Sequence, residues 1–129
     1  MELIADTNIF LAVVFNEPKK SWIIERTTGA TVVAPDLLPY EIGNALSAMV
    51  KRRQVTATQA LAAEKRIEKI SVRLVGVDLQ ASLQLALEQN IYAYDAYFLQ
   101  CAKAYSAPLL SLDRRLNQVA DALNIRLVE

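Results

Sequence analysis

Four carboxylates in this chain stand where the surrounding residues predict apolar structure. Asp6 closes the run Leu3-Ile4-Ala5, and Asp113 closes Leu109-Leu110-Ser111-Leu112. Glu41 has Leu37, Leu38, Ala45 and Ala48 at −4, −3, +4 and +7, the spacing of one helix face. Asp95 has Phe98, Leu99 and Ala102 at +3, +4 and +7. An ionised carboxylate in apolar surroundings is costly unless something positive compensates it. Neighbouring like charges add repulsion, so a proton or a cation must intervene. One or two divalent cations would resolve all four placements together.

Each acid also has a plainer reading. Asp6 and Asp113 could cap the helices that follow them, with Thr7 or Asn8 sharing the first task. Asp95 lies in a helix's first turn, where the dipole favours negative charge. Asp36 and Asp78 likewise follow strands and read as caps. Glu64, Glu68, Glu88 and Asp121 fall in polar helix surroundings and read as solvated. Glu41 is the hardest to dismiss, and Asn44, one turn on, adds a second oxygen donor to its face. The conjunction of two strand-end acids with two inward helix acids distinguishes the first four.

The rest of the composition narrows the chemistry. The chain has 129 residues, is 53% hydrophobic and 22% charged, and fits one globular domain over residues 1–129. Lys plus Arg and Asp plus Glu balance at 14 each, so bulk charge does not advertise a nucleic-acid partner. Histidine is absent, which excludes Ser-His-Asp and Cys-His triads and the common His-containing zinc sites. Carboxylate oxygens favour hard cations such as Mg²⁺ or Mn²⁺. Glycines only at 29, 43 and 76 leave no glycine-rich phosphate loop. Asn8 stands where a dehalogenase-type phosphotransferase would need its second Asp. The lone Cys101 reads as a core residue. Ile9 to Phe15 is too short to span a membrane and no signal peptide is visible, so a cytoplasmic protein is expected.

The elements that must position these acids alternate in type. Strands are expected over Glu2–Asp6, Thr31–Ala34, Val72–Val77, Pro108–Leu112 and Ile125–Val128. Helices are expected over Ile9–Phe15, Pro18–Thr28, Asp36–Arg53, Thr56–Lys69, Asp78–Gln89, Ala93–Tyr105 and Arg114–Leu123. Apolar strands alternating with helices predict an α/β fold, a mostly parallel sheet of four or five short strands covered on both faces. Ligands of such sheets gather beyond the carboxyl ends of the strands, near a switch in strand order. Asp6 and Asp113 are expected at such ends.

Taken in order, these segments resemble the PIN-domain nucleases, particularly the VapC-like toxins of toxin–antitoxin pairs. Ile4-Ala5-Asp6-Thr7-Asn8 is similar to the family's opening strand and first acid. Glu41-Ile42-Gly43-Asn44-Ala45-Leu46 resembles its second motif, Tyr94-Asp95-Ala96-Tyr97 its third, and Leu110-Ser111-Leu112-Asp113-Arg114-Arg115-Leu116 its fourth. Ser111 replaces the family's usual Thr, and no further acid follows Asp113 within its helix. The resemblance covers nearly the whole chain. It implies a three-layer α/β/α sandwich and a Mg²⁺- or Mn²⁺-dependent endoribonuclease using one or two ions. It also implies a homodimer and a cognate antitoxin protein that blocks the acidic pocket.

On this reading Asp6, Glu41, Asp95 and Asp113 hold the metal and leave products with a 5′-phosphate and a 3′-hydroxyl. Asn8, Asn44 and Ser111 would orient ligands or touch phosphate, although local capping accounts for them equally well. Arg114 and Arg115 adjoin Asp113 and are candidate phosphate contacts. Lys51-Arg52-Arg53 better suits a helix C-terminus. The competing expectation is a catalytically silent module of the same fold that binds RNA or protein.

Overall fold

The computed structural model describes residues 1–129. The chain order is β1 (Glu2–Ala5), α1 (Thr7–Val14), α2 (Lys20–Thr27), β2 (Thr31–Pro35), α3 (Leu38–Lys51), α4 (Ala57–Glu68), β3 (Arg73–Val75), α5 (Leu79–Gln89), α6 (Ala93–Tyr105), β4 (Leu109–Leu110) and α7 (Arg114–Ala122). The four strands form one parallel sheet in the order β3-β2-β1-β4, flanked by the seven helices. This is the expected α/β/α sandwich.

Local chemistry sets most of the boundaries. Thr56 and Gln59 exchange hydrogen bonds in a capping box that starts α4. Asp78 accepts a 3.0 Å bond from the Ala81 amide and caps α5. Asn90 and Ser106 end α5 and α6 in the left-handed region, at φ 54° and 49°. Gly29, at φ 80°, supplies the turn into β2 without the penalty a side chain would carry there. The core follows from the strands and one stripe of each helix: Leu3, Ile4, Val33, Leu109 and Leu110 from the sheet, with Leu38, Ile42 and Leu46 of α3 repeating every four residues. Cys101 belongs to this core, and burial pushes its thiol up to about 11, which keeps it neutral.

Three expectations need correction. The strand over Val72–Val77 shrinks to three residues with Arg73 and Leu74 exposed, because β3 is the sheet edge and only one side of it is paired. The last strand, Ile125–Val128, reduces to a single parallel bridge, Leu109 to Leu127, since β4 offers only two residues to pair with. Asp36 is exposed and does not cap α3, whose preceding residue Leu37 provides no side-chain cap.

The strand order carries the functional consequence. From β1 the sheet grows through β2 to β3 on one side, then the chain returns to add β4 on the other side of β1. The order therefore switches between β1 and β4, where a crevice opens beyond the carboxyl ends. Asp6 follows β1 directly, and Asp113 follows β4 by three residues.

Candidate metal centre

A cleft of about 200 Å³ lies at this switch and contains all four acids. Asp6, Thr7 and Asn8 enter from the start of α1; Glu41, Asn44 and Ala45 from α3; Asp95 and Phe98 from α6; and Asp113 from the start of α7. Acids 107 positions apart in sequence, Asp6 and Asp113, share one wall because β1 and β4 are paired neighbours. The core stripe of α3 points Leu38, Ile42 and Leu46 inward and leaves Glu41 and Asn44 toward the cleft.

The four carboxylates are not equivalent. Asp6 is buried, Glu41 and Asp95 are half-buried, and Asp113 is exposed. The expectation of apolar surroundings therefore fails for Asp113. The strand ends at Leu110, so Ser111-Leu112-Asp113 runs beyond the sheet into solvent, and Asp113 caps α7 with a 3.0 Å bond from the Leu116 amide. Asp6 occupies the corresponding place before α1 but makes no side-chain cap.

Ser111 links the two. Its hydroxyl donates to Asp6 Oδ2 and accepts a 3.0 Å bond from the Asp113 amide. The Asn117 side-chain amide holds the Ser111 carbonyl at 3.0 Å, which fixes this loop from α7. Thr7 donates from Oγ1 to Glu41 Oε2 at 2.8 Å, tying α1 to α3. In each case one carboxylate oxygen is committed to a protein donor. Asp6 Oδ1 is buried with no hydrogen-bond partner at all.

Such an arrangement disfavours ionisation. Burial raises the Asp6 carboxyl to about 6, against the pull of its Ser111 hydrogen bond, and Asp113 and Asp95 push it further the same way. Burial also raises Glu41, opposed by the Thr7 hydrogen bond and reinforced by Asp95. Asp95 is raised by burial and by the charge of Asp113. The ion pairs of the structure, Arg26 with Glu25 and Arg73 with Glu2, involve none of the four. No lysine or arginine lines the cleft. Hard oxygen donors, an unpartnered buried oxygen and raised carboxyls fit a divalent cation. The acids line one cleft without closing on one another: no three of them are gathered into a ready-made cage.

Other expected residues divide. Asn8 and Asn44 line the cleft as exposed amides, and Ser111 acts from behind it. Arg114 and Arg115 are exposed and outside its lining. Lys51, Arg52 and Arg53 lie at the far end of α3, ten residues and roughly 15 Å from Glu41. Thr7 and Phe98 are cleft residues that sequence reasoning missed as such. A hydroxyl directly behind Asp6 was the available signal for Thr7, whereas its bond to Glu41 spans 34 positions.

The PIN domain family model matches residues 3–122 of the chain. This chain belongs to the PIN-domain family. Members of that family are in general nucleases that use a divalent metal. Among solved structures, PAE2754 from Pyrobaculum aerophilum superposes with a TM-score of 0.71 at 23% identity, covering 92% of this chain and 79% of that one. VapBC2 from Rickettsia felis, bound to a DNA fragment from their promoter, gives 0.67 at 14% identity, with 98% and 97% covered. FitAcB from Neisseria gonorrhoeae gives 0.64 at 13% identity, with 100% and 97% covered. At these identities the likeness is one of fold. No curated protein matches the sequence. No helix is long and apolar enough to cross a membrane.

Proposed function

We propose that this PIN domain is a Mg²⁺- or Mn²⁺-dependent endoribonuclease, the VapC-like toxin of a toxin–antitoxin pair. The observation that carries the reading is Asp6 Oδ1, a buried oxygen without a partner in a cleft shared with three more acids and no basic residue. Asp6, Glu41, Asp95 and Asp113 would hold one or two ions. A bound ion there supplies Lewis-acid stabilisation of the phosphate and a lowered pKa for the attacking water.

The protein's own groups prepare that role. Ser111 holds one oxygen of Asp6 and Thr7 one oxygen of Glu41, so each carboxylate is oriented with its second oxygen left over for a ligand. Asp113 is held similarly, one oxygen on the Leu116 amide. Asn8 and Asn44 bring amide donors to the same cleft, suited to phosphate oxygens. Arg114 and Arg115, exposed beside Asp113, would contact flanking phosphates and make affinity salt-dependent. The products expected carry a 5′-phosphate and a 3′-hydroxyl. VapBC2 and FitAcB share the fold, and the resemblance of the four acidic motifs to VapC-like toxins extends the reading to a cytoplasmic homodimer with a cognate antitoxin partner.

The test is incubation of end-labelled RNA with purified protein in Mg²⁺, in Mn²⁺ and in EDTA, beside Asp95→Asn. Metal-dependent cleavage by the parent and none by Asp95→Asn is the expected result. Full cleavage by Asp95→Asn overturns the assignment of the site. Tight RNA binding without cleavage by the parent favours the silent module.

A further inference from the structure

A tyrosine immediately precedes each helix-borne acid of the cleft: Tyr40 before Glu41 and Tyr94 before Asp95. Both acids sit in the first turn of their helices, α3 and α6. Tyr40 stands four residues before Asn44, and Tyr94 four residues before Phe98, and both of those residues line the cleft. Residues four apart share a helix face, so each ring lies one turn beyond the cleft on its solvent edge. The two helices thus repeat one arrangement, with a ring outside and a carboxylate inside.

These rings are open to solvent to an unusual degree. Tyr40 is 81% exposed and Tyr94 59%, while Tyr92, the residue before α6 and three before Asp95, is 84% exposed. Tyr94 is braced edge-to-face against Tyr97 at 6.1 Å and 77°, which orders its ring in advance. Tyr105, away from the cleft, is occupied differently, under the Arg73 guanidinium at 5.6 Å. Exposed aromatic rings around a site whose charge repels a polyanion offer an attraction independent of charge. A nucleobase presents a π face to such a ring whatever its sequence.

We propose that Tyr40 and Tyr94, with Tyr92 beside the latter, are stacking platforms that receive unpaired bases on either side of the phosphate held in the cleft. This rests on the nuclease reading of the cleft and adds its substrate contact. Bases must be splayed out to stack on side chains, so the platforms select single-stranded segments over A-form duplex. The phenol rings would add base stacking to the phosphate contacts proposed for Arg114 and Arg115.

The test reads binding, so it stands apart from catalysis. In a cleavage-silent Asp95→Asn background, fluorescence anisotropy would measure affinity for a short labelled single-stranded RNA, the same backbone made abasic, and its duplex. Tyr40→Ala and Tyr94→Ala are each expected to weaken binding of the base-bearing strand about tenfold and leave the abasic strand unchanged. Tyr40→Phe and Tyr94→Phe should stay near the parent, and the duplex should bind weakly throughout. Unchanged affinity in the alanine variants overturns the proposal, as does an equal loss on the abasic strand or a parent that binds neither strand. A fall in molecular mass by light scattering with RNA affinity intact would instead make the tyrosines a protein–protein surface. Base-dependent binding in a wild-type protein that cleaves no RNA would sink the nuclease reading while leaving the platforms standing.

Discussion

The carboxyl edge of the sheet has two halves, and acids follow the strands of both. On the β1/β4 half, Asp6 is buried with an unpartnered oxygen and Asp113 is linked to it through Ser111. On the β2/β3 half, Asp36 is exposed and Asp78 is occupied as the cap of α5. The difference lies in what covers each half. Over β1 and β4, Glu41 from α3 and Asp95 from α6 face the same cleft, and the strand order reverses. Over β2 and β3, Asp36 is solvated and Asp78 is spent on a backbone amide. A strand-end acid therefore acquires chemical meaning from the helices set against it.

The largest effect should separate the halves by catalysis. Asp6→Asn is expected to lower metal-dependent RNA cleavage by about 10³-fold or more, the scale of losing a metal ligand's stabilisation of the transition state. Asp36→Asn should leave the rate unchanged. Gel-based initial rates at saturating Mg²⁺ would show either pattern, and equal losses in both variants would erase the distinction.

A smaller effect concerns stability without metal. The Asp6 carboxyl is raised in the folded protein to about 6, from 3.8. The folded state therefore binds its proton more tightly than the unfolded state. Its ionisation costs stability that is lost as pH rises from about 4 through about 6, and at pH 7 the cost is ~3 kcal/mol. In EDTA, Asp6→Asn should accordingly raise the melting temperature at pH 7 and have little effect near pH 4. Raised Glu41 and Asp95 carboxyls act in the same direction. Denaturation at both pH values checks the sign, and a destabilised Asp6→Asn at pH 7 would contradict it.

Ser111→Ala removes the donor to Asp6 and the acceptor of the Asp113 amide together. It should cost about 1–3 kcal/mol in chemical denaturation and raise the Asp6 carboxyl further, since that hydrogen bond favours the charged form. The smallest effect belongs to the other half. Asp78→Ala should cost about 1 kcal/mol, the loss of an N-cap, with cleavage kinetics unaltered.

Much of this arrangement is legible in the sequence. The runs Leu3-Ile4-Ala5 and Thr31-Val32-Val33-Ala34 announce β1 and β2, and Thr56 and Asp78 announce their helices, because local capping and periodicity act over a few residues. The edge is less legible: Val72 to Val77 reads as a buried strand, yet nothing local shows that β3 has one neighbour only. All four acids can be picked out, but their ranking cannot. Asp113 reads as buried because Leu112 precedes it, whereas β4 has already ended at Leu110. The Thr7–Glu41 and Ser111–Asp6 bonds span 34 and 105 positions and depend on tertiary packing.

The measurement closest to the central claim is calorimetric titration of Mn²⁺ into the wild-type protein, Asp6→Asn and Asp36→Asn at pH 7. Saturable binding by the wild type and Asp36→Asn, lost in Asp6→Asn, is the outcome that a divalent cation seated on the β1/β4 half predicts. Binding of equal strength in Asp6→Asn, or none in the wild type, would contradict it.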